Sequence, residues 1–522
     1  MLKASGAMAA ATLTSRVLGM VREMVYYGFM GTGWVNDAFQ YAFTIPNLFR
    51  RLLGEGALTA AFIPIFKEKE KNHGEVEMWR AANAVVSGLV VAACIIVALV
   101  LLGVSLALAF HDFSPKTTLM LSLLRVMFPY MILVCLTAVM MGMLNARGHF
   151  FIPAMGATML NVVMIASVLW LAPKFGASLP KDQRLPVQIF ALAYGVLAAG
   201  VAQAAFQLPT LWHDGFRYRW VSPWRNETVR HVVRKMIPGT IGVAAFQINV
   251  ALVQGVALFV GTGIVSSYNG AVRLMELPQG MFGISLATYL LPTLSGLAAE
   301  KNYPEFRATL RHGLGTLIFL NLIASILLVV LAEPIVRLLF QRGAFTAVST
   351  HHVSYALACL APGLVMFSTV NILARAFYAL GDTKTPMLIS IVCLTLNFAI
   401  ACLLLHPLRE GGPGIANTLT SILNVSLLLF ALRKKMGRLE LEPLRKDLFP
   451  LALLTVLAGL AAWAGWRLWE SWIGHASLTL KTGAVFVPAV VAGGIYLLGA
   501  LACKIQAAKE MMNFMMAKVR RR

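Results

Sequence analysis

The feature that most constrains this chain is a succession of apolar runs, each about 20 residues long, such as 81–108, 152–171, 314–331 and 484–502. An α-helix of about 20 apolar residues crosses the hydrocarbon core of a bilayer with every backbone hydrogen bond satisfied. The composition agrees, because 59% of the 522 residues are hydrophobic and only 13% are charged. The sequence therefore predicts an all-α polytopic membrane protein with about fourteen transmembrane helices.

The basic residues predict how the chain is oriented. A net charge of +22 would suggest nucleic acid in a soluble protein. With the N-terminus in the cytoplasm, however, most lysines and arginines lie in cytoplasmic segments, chiefly 67–80, 212–235, 433–447 and the tail from 504. This asymmetry is the positive-inside rule. We therefore expect both termini in the cytoplasm, basic loops that contact anionic phospholipids, and no nucleic-acid partner.

An internal repeat indicates the domain organisation. Residues that punctuate the apolar runs recur at a constant offset of 233, namely Pro129, Gly148 and Pro153 as Pro362, Gly381 and Pro386. Six helices return the chain to its starting side, so the repeat is of the parallel kind. We predict an N-lobe at 1–225, a C-lobe at 226–437, and two further helices with a basic tail at 438–522.

Charged residues inside the apolar runs are the candidates for function. A guanidinium at the centre of a membrane helix costs roughly 2.5–3.5 kcal/mol and stays charged at physiological pH. It therefore needs a watery cavity or an anion. Seven arginines are placed in this way: Arg16, Arg22, Arg50, Arg51, Arg125, Arg273 and Arg375.

Several of these arginines have a purely structural alternative. Arg51 has Glu55 four residues on, and Arg273 has Glu276 three residues on, so both can form intrahelical ion pairs. Arg125 and Arg375 lie near the ends of predicted helices, where a long side chain snorkels to the lipid headgroups. The remaining three have no acidic residue at helical spacing, although pairing between helices stays open. The residues concerned are Arg16, Arg22 and Arg50, with Glu23, Asp37 and Glu55 as the possible partners.

Glycine and proline interrupt the three helices that carry these charges, at Gly19, at Pro46 and at Pro278. Such interruptions are tolerated where the freed backbone groups meet protein or water, so these helices are candidates to line a cavity. Arg16 and Arg22 lie about 120° apart on an ideal helix, which requires bending near Gly19 or a wide cavity. A guanidinium cluster suits a phosphate or pyrophosphate, carried either by a cytosolic metabolite or by a lipid. The two extra helices favour the lipid.

Metal or cofactor chemistry is not expected. The six cysteines all fall in apolar runs without ligand-like spacing, and the ten histidines lie mostly in loops.

Several short segments form a recognisable set of motifs: SRVLGMVRE at 15–23, DAF at 37–39, IPNLFRRL at 45–52, FIP at 62–64, RLMELP at 273–278, LLP at 290–292, GAFT at 343–346 and GDTKTP at 381–386. Together they resemble the MurJ/MviN family of lipid II flippases. The resemblance runs from the first helix to about residue 437 and, by helix count, to the end.

The resemblance implies a flippase of the multidrug/oligosaccharidyl-lipid/polysaccharide exporter superfamily. Such a protein moves lipid II, an undecaprenyl-pyrophosphate disaccharide-pentapeptide, across a bacterial inner membrane for peptidoglycan synthesis. Rocking lobes, with bends at Gly19 and Pro46, would give alternating access, and the last two helices would hold the prenyl tail. The family's substrate-binding positions fall on Arg16, Arg22, Arg50 and Arg273, with supporting positions at Asp37, Asn47, Glu55, Ser266 and Glu276.

Two departures from the family pattern bear on energy coupling and on the site. Val272 stands where many members have an acidic residue, and Cys393 and Asn397 stand where some members bind sodium. Sodium coupling is therefore unsupported, and a proton gradient or the membrane potential remains open. The rival hypotheses are a drug or metabolite antiporter of the same superfamily, which would favour acidic cavity residues, and a polyprenyl-phosphate membrane enzyme, which would need clustered carboxylates or a histidine.

Overall fold

A computed structural model describes residues 2–54, 57–224 and 226–520, and the regular elements within these ranges are helices. The first eight α-helices are α1 (Leu2–Met30), α2 (Trp34–Phe49), α3 (Ala57–Phe110), α4 (Pro115–Met127), α5 (Tyr130–Ala146), α6 (Phe151–Ala166), α7 (Lys181–His213) and α8 (Glu227–Val260). The next eleven are α9 (Ile264–Pro278), α10 (Ser285–Ala299), α11 (Tyr303–Val330), α12 (Ala332–Phe340), α13 (Ala347–Leu360), α14 (Leu364–Ala379), α15 (Lys384–Leu408), α16 (Gly412–Met436), α17 (Glu442–Trp472), α18 (Leu478–Ala502) and α19 (Gln506–Arg520).

Apolar spans confirm the predicted class of fold. Among the described residues, nine helices are long and apolar enough to cross a membrane, or ten if α4 and α5, bent by 43°, form one span. One of the nine, Lys384–Met436, contains both α15 and α16. The chain is therefore an all-α polytopic membrane protein. The figure of fourteen stays a prediction, because α1, α2 and α8 fall outside this count although each lies where a span is predicted.

The segment 67–80, expected as a connecting loop, is largely helical but contains a break. It lies within α3, where two helices meet at Gly74 with φ of 81° and ψ of 176°. The Nζ atom of Lys67 lies 2.7 Å from an Oε of Glu70, one turn along the helix, and such pairs favour helix. Arg147, at the end of α5, lies 2.6 Å from the other Oε of Glu70. These charge pairs stabilise the helical turn before the break, and Gly74 provides the connection between two helices within the predicted segment.

Packing divides the chain into two compact units. The first runs to Leu258 and also includes Arg342–Phe345, and the second begins at Phe259. Most of α8 therefore packs with the first unit, whereas the repeat places the boundary near residue 225. The lobes of the repeat remain a prediction. Within the second unit, α17 and α18 pack against each other and α17 packs on α11, and the hydroxyl of Tyr496 donates to the carbonyl of Phe319 at 2.9 Å.

The two turns marked by the repeated glycines have the same geometry. Gly148 follows α5 with φ of 90°, and Gly381 follows α14 with φ of 74°. The backbone amide of His149 donates to the carbonyl of Leu144, and the backbone amide of Asp382 donates to the carbonyl of Phe377, both at 2.9 Å. Only glycine adopts this left-handed conformation readily at a helix end. Gly215 shows the same hydrogen bond outside the repeat, with φ of 95°, so this geometry marks a helix end and the repeat stays a prediction.

Candidate functional site: arginines of α1, α9 and the turn after α2

Arg22 is held in a fixed position on α1. Its Nη1 donates to Oδ1 of Asn161 on α6 at 3.0 Å, and its Nη2 lies 2.5 Å from Oε1 of Glu23. The guanidinium also lies 5.5 Å from the ring centre of Tyr26. The side chains of Arg22 and Glu23 are each 11% exposed. The Glu23 alternative left open by the sequence is therefore the observed pairing, and it orients the guanidinium without removing all of its donors.

Arg16 lies on the same helix and differs from Arg22 in its surroundings. Its side chain is exposed and makes no hydrogen bond or ion pair with any residue that the structure describes. The helix continues unbroken through Gly19, where an added Cβ would lie 3.8 Å from the Asn161 amide nitrogen. That amide also donates to the carbonyl of Ser15 at 3.3 Å. Asn161 of α6 therefore contacts α1 at two places, the backbone carbonyl next to Arg16 and the guanidinium of Arg22.

The polar face of α2 meets α8. Thr44 donates to Oε1 of Gln254 at 2.9 Å, and Nη1 of Arg51 donates to Oε1 of Gln247 at 3.3 Å. Asn47 lies on the same face and donates to the carbonyl of its own helix four residues back, at 3.1 Å. Hydrogen bonds from Thr44 of α2 and from Arg51, just beyond the end of α2, therefore join this region to α8 within the first unit.

Pro46 lies in the last turn of α2, and Arg50–Gly54 follows as a π-helical turn. Proline has no amide hydrogen to donate, and π turns occur often at functional sites. In the second unit Pro278 ends α9 and is likewise followed by a π turn, Gln279–Ile284. Arg50 therefore lies at the start of a π turn, one helical turn after Pro46. Glu55, a predicted supporting residue, lies outside the described residues.

Asp37 is fully buried in α2. The Nζ atom of Lys116, in the first turn of α4, lies 3.9 Å from its Oδ2 and also donates to the carbonyl of Leu258. A buried carboxylate needs a compensating charge, and Lys116 provides one that the sequence did not suggest. Asp37 therefore belongs to a buried contact between α2 and α4.

In the second unit Arg273 forms the intrahelical pair that its spacing allows. Its Nη1 lies 2.9 Å from Oε2 of Glu276, and the two side chains are 45% and 47% exposed. Ser266, at the start of α9, is buried, and its hydroxyl donates to the carbonyl of Gly263 at 3.4 Å. Arg273 is therefore an accessible, oriented guanidinium on a helix that is apolar enough to span a membrane.

The predicted positions for a sodium pair contain a neutral network. Asn397 donates to Oδ1 of Asn417 at 2.9 Å and to the hydroxyl of Thr420 at 3.2 Å. Asn417 in turn donates to the hydroxyl of Tyr268 at 2.5 Å. Within the described ranges, no group of three or more histidine, cysteine, aspartate or glutamate side chains is placed to hold a metal ion.

Four residues that shape the site were missed from the sequence: Lys116, Asn161, Gln247 and Gln254. They share a detectable signal, since each is a polar residue within or beside an apolar run. The uncharged candidates Asn47 and Ser266 came only from the family resemblance, and a search for every polar side chain in these runs would have included Asn161.

Comparison with known proteins agrees with this architecture. A family model described as "Lipid II flippase MurJ" matches residues 27–483. A "Probable lipid II flippase MurJ" of Haemophilus influenzae is 34% identical over 81% of this chain and 84% of its own. A "Lipid II flippase MurJ" of Burkholderia cenocepacia is 33% identical over 81% and 82%.

Solved structures show the same fold. A lipid II flippase MurJ in an inward closed conformation superimposes with a TM-score of 0.74 and 21% identity, over 95% of this chain and 99% of the other. An inward-facing multidrug resistance MATE transporter of the MOP superfamily gives a TM-score of 0.63 at 14% identity, over 83% and 99%. The family match covers most of the chain, and the chain therefore belongs to the MurJ family of lipid II flippases.

Proposed function

We propose that this chain is a flippase that moves lipid II from the cytoplasmic to the periplasmic leaflet of a bacterial inner membrane. The observation that carries the proposal is Arg16, an exposed guanidinium on α1, a predicted membrane helix, with no ion-pair partner among the described residues. Such a charge is costly in lipid and is stabilised by an anion. The relatives are named lipid II flippases, which supports the pyrophosphate of lipid II as this anion.

The four predicted arginines have different roles in this proposal. Arg16 and Arg273 are exposed and contact the pyrophosphate or the sugar headgroup. Arg22 is oriented by Glu23 and Asn161, so its planar fork is preorganised for a bidentate contact. Arg50 projects from the π turn and supplies further positive charge. Alternating access then carries the headgroup across, with bending at Gly19 and Pro46, while the prenyl tail stays in the bilayer beside α17 and α18.

The two rivals are weaker. The family consists of transporters and not of enzymes, which excludes the hypothesis of a polyprenyl-phosphate membrane enzyme. A cation antiporter of the same superfamily would place uncompensated carboxylates on its membrane helices. Here Glu23 pairs with Arg22, Glu276 pairs with Arg273, and Asp37 faces Lys116. These charge pairings favour an anionic substrate.

Anionic phospholipids remain the expected lipid partners of the cytoplasmic face. Arg230 and Arg234 line a cavity of about 340 Å³ beside Trp224, which is 69% exposed. Tryptophan and basic side chains together are typical of a membrane interface on the cytoplasmic side. Both termini lie in the cytoplasm in this orientation.

A depletion experiment in cells tests the function. Cells that lack their own flippase should grow when they express the wild-type chain, and should lyse when they express Arg16→Ala at the same membrane level. Arg125→Ala is the matched control, since Arg125 is also an exposed arginine of a membrane helix. Normal growth with Arg16→Ala would contradict the anion site.

A further inference from the structure

A cavity of about 350 Å³ with polar and apolar lining residues lies within the second unit, and Arg273 is not among the residues that line it. It is bordered by the first turns of α11, the first turns of α17 and the start of α19. Its volume falls in the range of about 300–1,000 Å³ that is usual for small-molecule sites. The cavity lies where three helix ends meet, at one boundary of the apolar spans.

Both signs of charge line this cavity. Arg311 and His312 of α11 are on one side, and Glu305 of α11 and Asp447 of α17 are also in the wall. The cavity beside Trp224 in the first unit has only basic charges in its wall. A ligand for the cavity of the second unit should therefore carry both a negative and a positive group.

The acidic part of the lining is available for a cation. Asp447 is half-buried and makes no hydrogen bond or ion pair with any residue that the structure describes. A carboxylate that has lost part of its hydration gains from a charged hydrogen-bond donor. A primary ammonium, which has three N–H donors, provides such a partner.

The basic part of the lining is positioned for a phosphate. Nη1 of Arg311 donates to the carbonyl of Glu440 at 3.0 Å, which fixes the guanidinium while other donors remain. Nε2 of His312 lies 3.2 Å from Oε2 of Glu510, so α19 holds the imidazole in the wall. The Thr316 hydroxyl, also in the lining, has no hydrogen-bond partner among the described residues.

Apolar side chains of α17 complete the lining of this cavity. Leu444 and Leu451 lie one turn before and one turn after Asp447 on the same face of the helix. From the two signs of charge, the unpartnered carboxylate and the position of the cavity at a boundary of the apolar spans, we propose that the cavity binds a phosphoethanolamine headgroup, with phosphate on Arg311 and ammonium on Asp447.

Native mass spectrometry of the purified full-length chain tests the proposal. Phosphatidylethanolamine, its N-methylated series up to phosphatidylcholine, and phosphatidylglycerol would be added in equal amounts with identical acyl chains. We expect occupancy to fall about tenfold from phosphatidylethanolamine to phosphatidylcholine, because the N–H donors to Asp447 are lost. Phosphatidylglycerol, which lacks the ammonium, should bind as weakly as phosphatidylcholine. Equal binding of all these lipids, or a preference for phosphatidylglycerol, would overturn the proposal.

Variants separate the two halves of the site. Asp447→Asn should abolish the preference for phosphatidylethanolamine over phosphatidylcholine, and Arg311→Gln should weaken all the phospholipids together. Glu442→Gln is the matched control, an exposed carboxylate of the same helix outside the cavity lining. An unchanged preference in Asp447→Asn would overturn the assignment. The methylation series on the wild-type chain tests the proposal even if a variant does not fold.

Discussion

Nη1 of Arg22 on α1 donates to Oδ1 of Asn161 on α6 at 3.0 Å, across a separation of 139 residues. The Asn161 carbonyl oxygen thus orients a guanidinium whose other terminal nitrogen pairs with Glu23. An arginine held from two sides keeps its guanidinium in one orientation, which reduces the entropy lost when it binds an oxyanion. The bond between α1 and α6 is therefore part of the proposed pyrophosphate site.

Removal of this bond should impair function more than stability. Asn161→Leu leaves Arg22 with Glu23 alone, and loss of a hydrogen bond to a charged group costs about 1.5–3 kcal/mol. We expect binding of lipid II to weaken at least tenfold while the protein still inserts at normal levels. Asn161→Asp retains the acceptor and should bind far better than Asn161→Leu. Equal lipid II affinity for the wild type and Asn161→Leu would exclude this role.

Close backbone packing in the first unit predicts an intolerance of side chains at two glycines. Gly31 has φ of +61°, and an added Cβ would lie 2.6 Å from the carbonyl oxygen of Ala344. Gly343 has φ of +55°, and its Cβ would lie 2.3 Å from the carbonyl oxygen of Gly28. Both contacts are shorter than van der Waals distance and both conformations are left-handed, so alanine is strained in two ways.

Thermal unfolding in detergent measures this effect. Gly31→Ala and Gly343→Ala should each lower the free energy of unfolding by about 1–3 kcal/mol or more. Gly33→Ala is the matched control, because φ there is −83° and an added Cβ meets nothing within 4 Å. If all three variants melt together with the wild type, the packing of these glycines is not as described.

The pKa of Asp382 predicts a pH-dependent contribution to stability. Its carboxylate accepts from the Thr385 backbone amide at 3.0 Å and lies 2.9 Å from Nζ of Lys435. The amide hydrogen bond first, and then Lys435, lower the pKa of Asp382 to about 2. Because the folded-state pKa lies below the unfolded value, this stabilisation is complete above the unfolded pKa of about 3.9 and is lost as the pH falls through about 2.

Asp382→Asn should therefore be less stable than the wild type at pH 7, by at most about 2 kcal/mol. The difference should shrink as the pH falls below about 4, when melting is followed across the acid range. Asp112→Asn provides the control, since Asp112 is exposed and makes no ion pair with the described residues. A gap between Asp382→Asn and wild type that stays constant down to pH 2 would contradict the linkage.

The neutral network of Asn397, Asn417 and Thr420 predicts that transport does not require sodium. The amide and hydroxyl groups of these three residues already form hydrogen bonds with one another. None of the three is a carboxylate that could compensate the charge of a cation. Replacement of sodium by choline in a vesicle assay should leave the rate of lipid II flipping unchanged. A rate that rises with sodium concentration and saturates would contradict this prediction.

Helix positions and local pairs were predictable from the sequence because both follow from spacing along one helix. The apolar runs coincide with helices, and Glu276 pairs with Arg273 at the expected three residues. Contacts between helices were not predictable, since spacing contains no information on which faces meet. Lys116 beside Asp37 and Asn161 beside Arg22 belong to this class. The boundary near Leu258 depends on the same packing.

Leaflet exchange of labelled lipid II in vesicles tests the central claim most directly. The purified wild-type chain should move the label between leaflets without cleaving it, and Arg125→Ala should do the same. Arg16→Ala should lose most of this activity, and Arg16→Lys should recover only part, because an ammonium is a poorer match for pyrophosphate than a guanidinium. Full exchange by Arg16→Ala, or no exchange by the wild-type chain, would contradict the account.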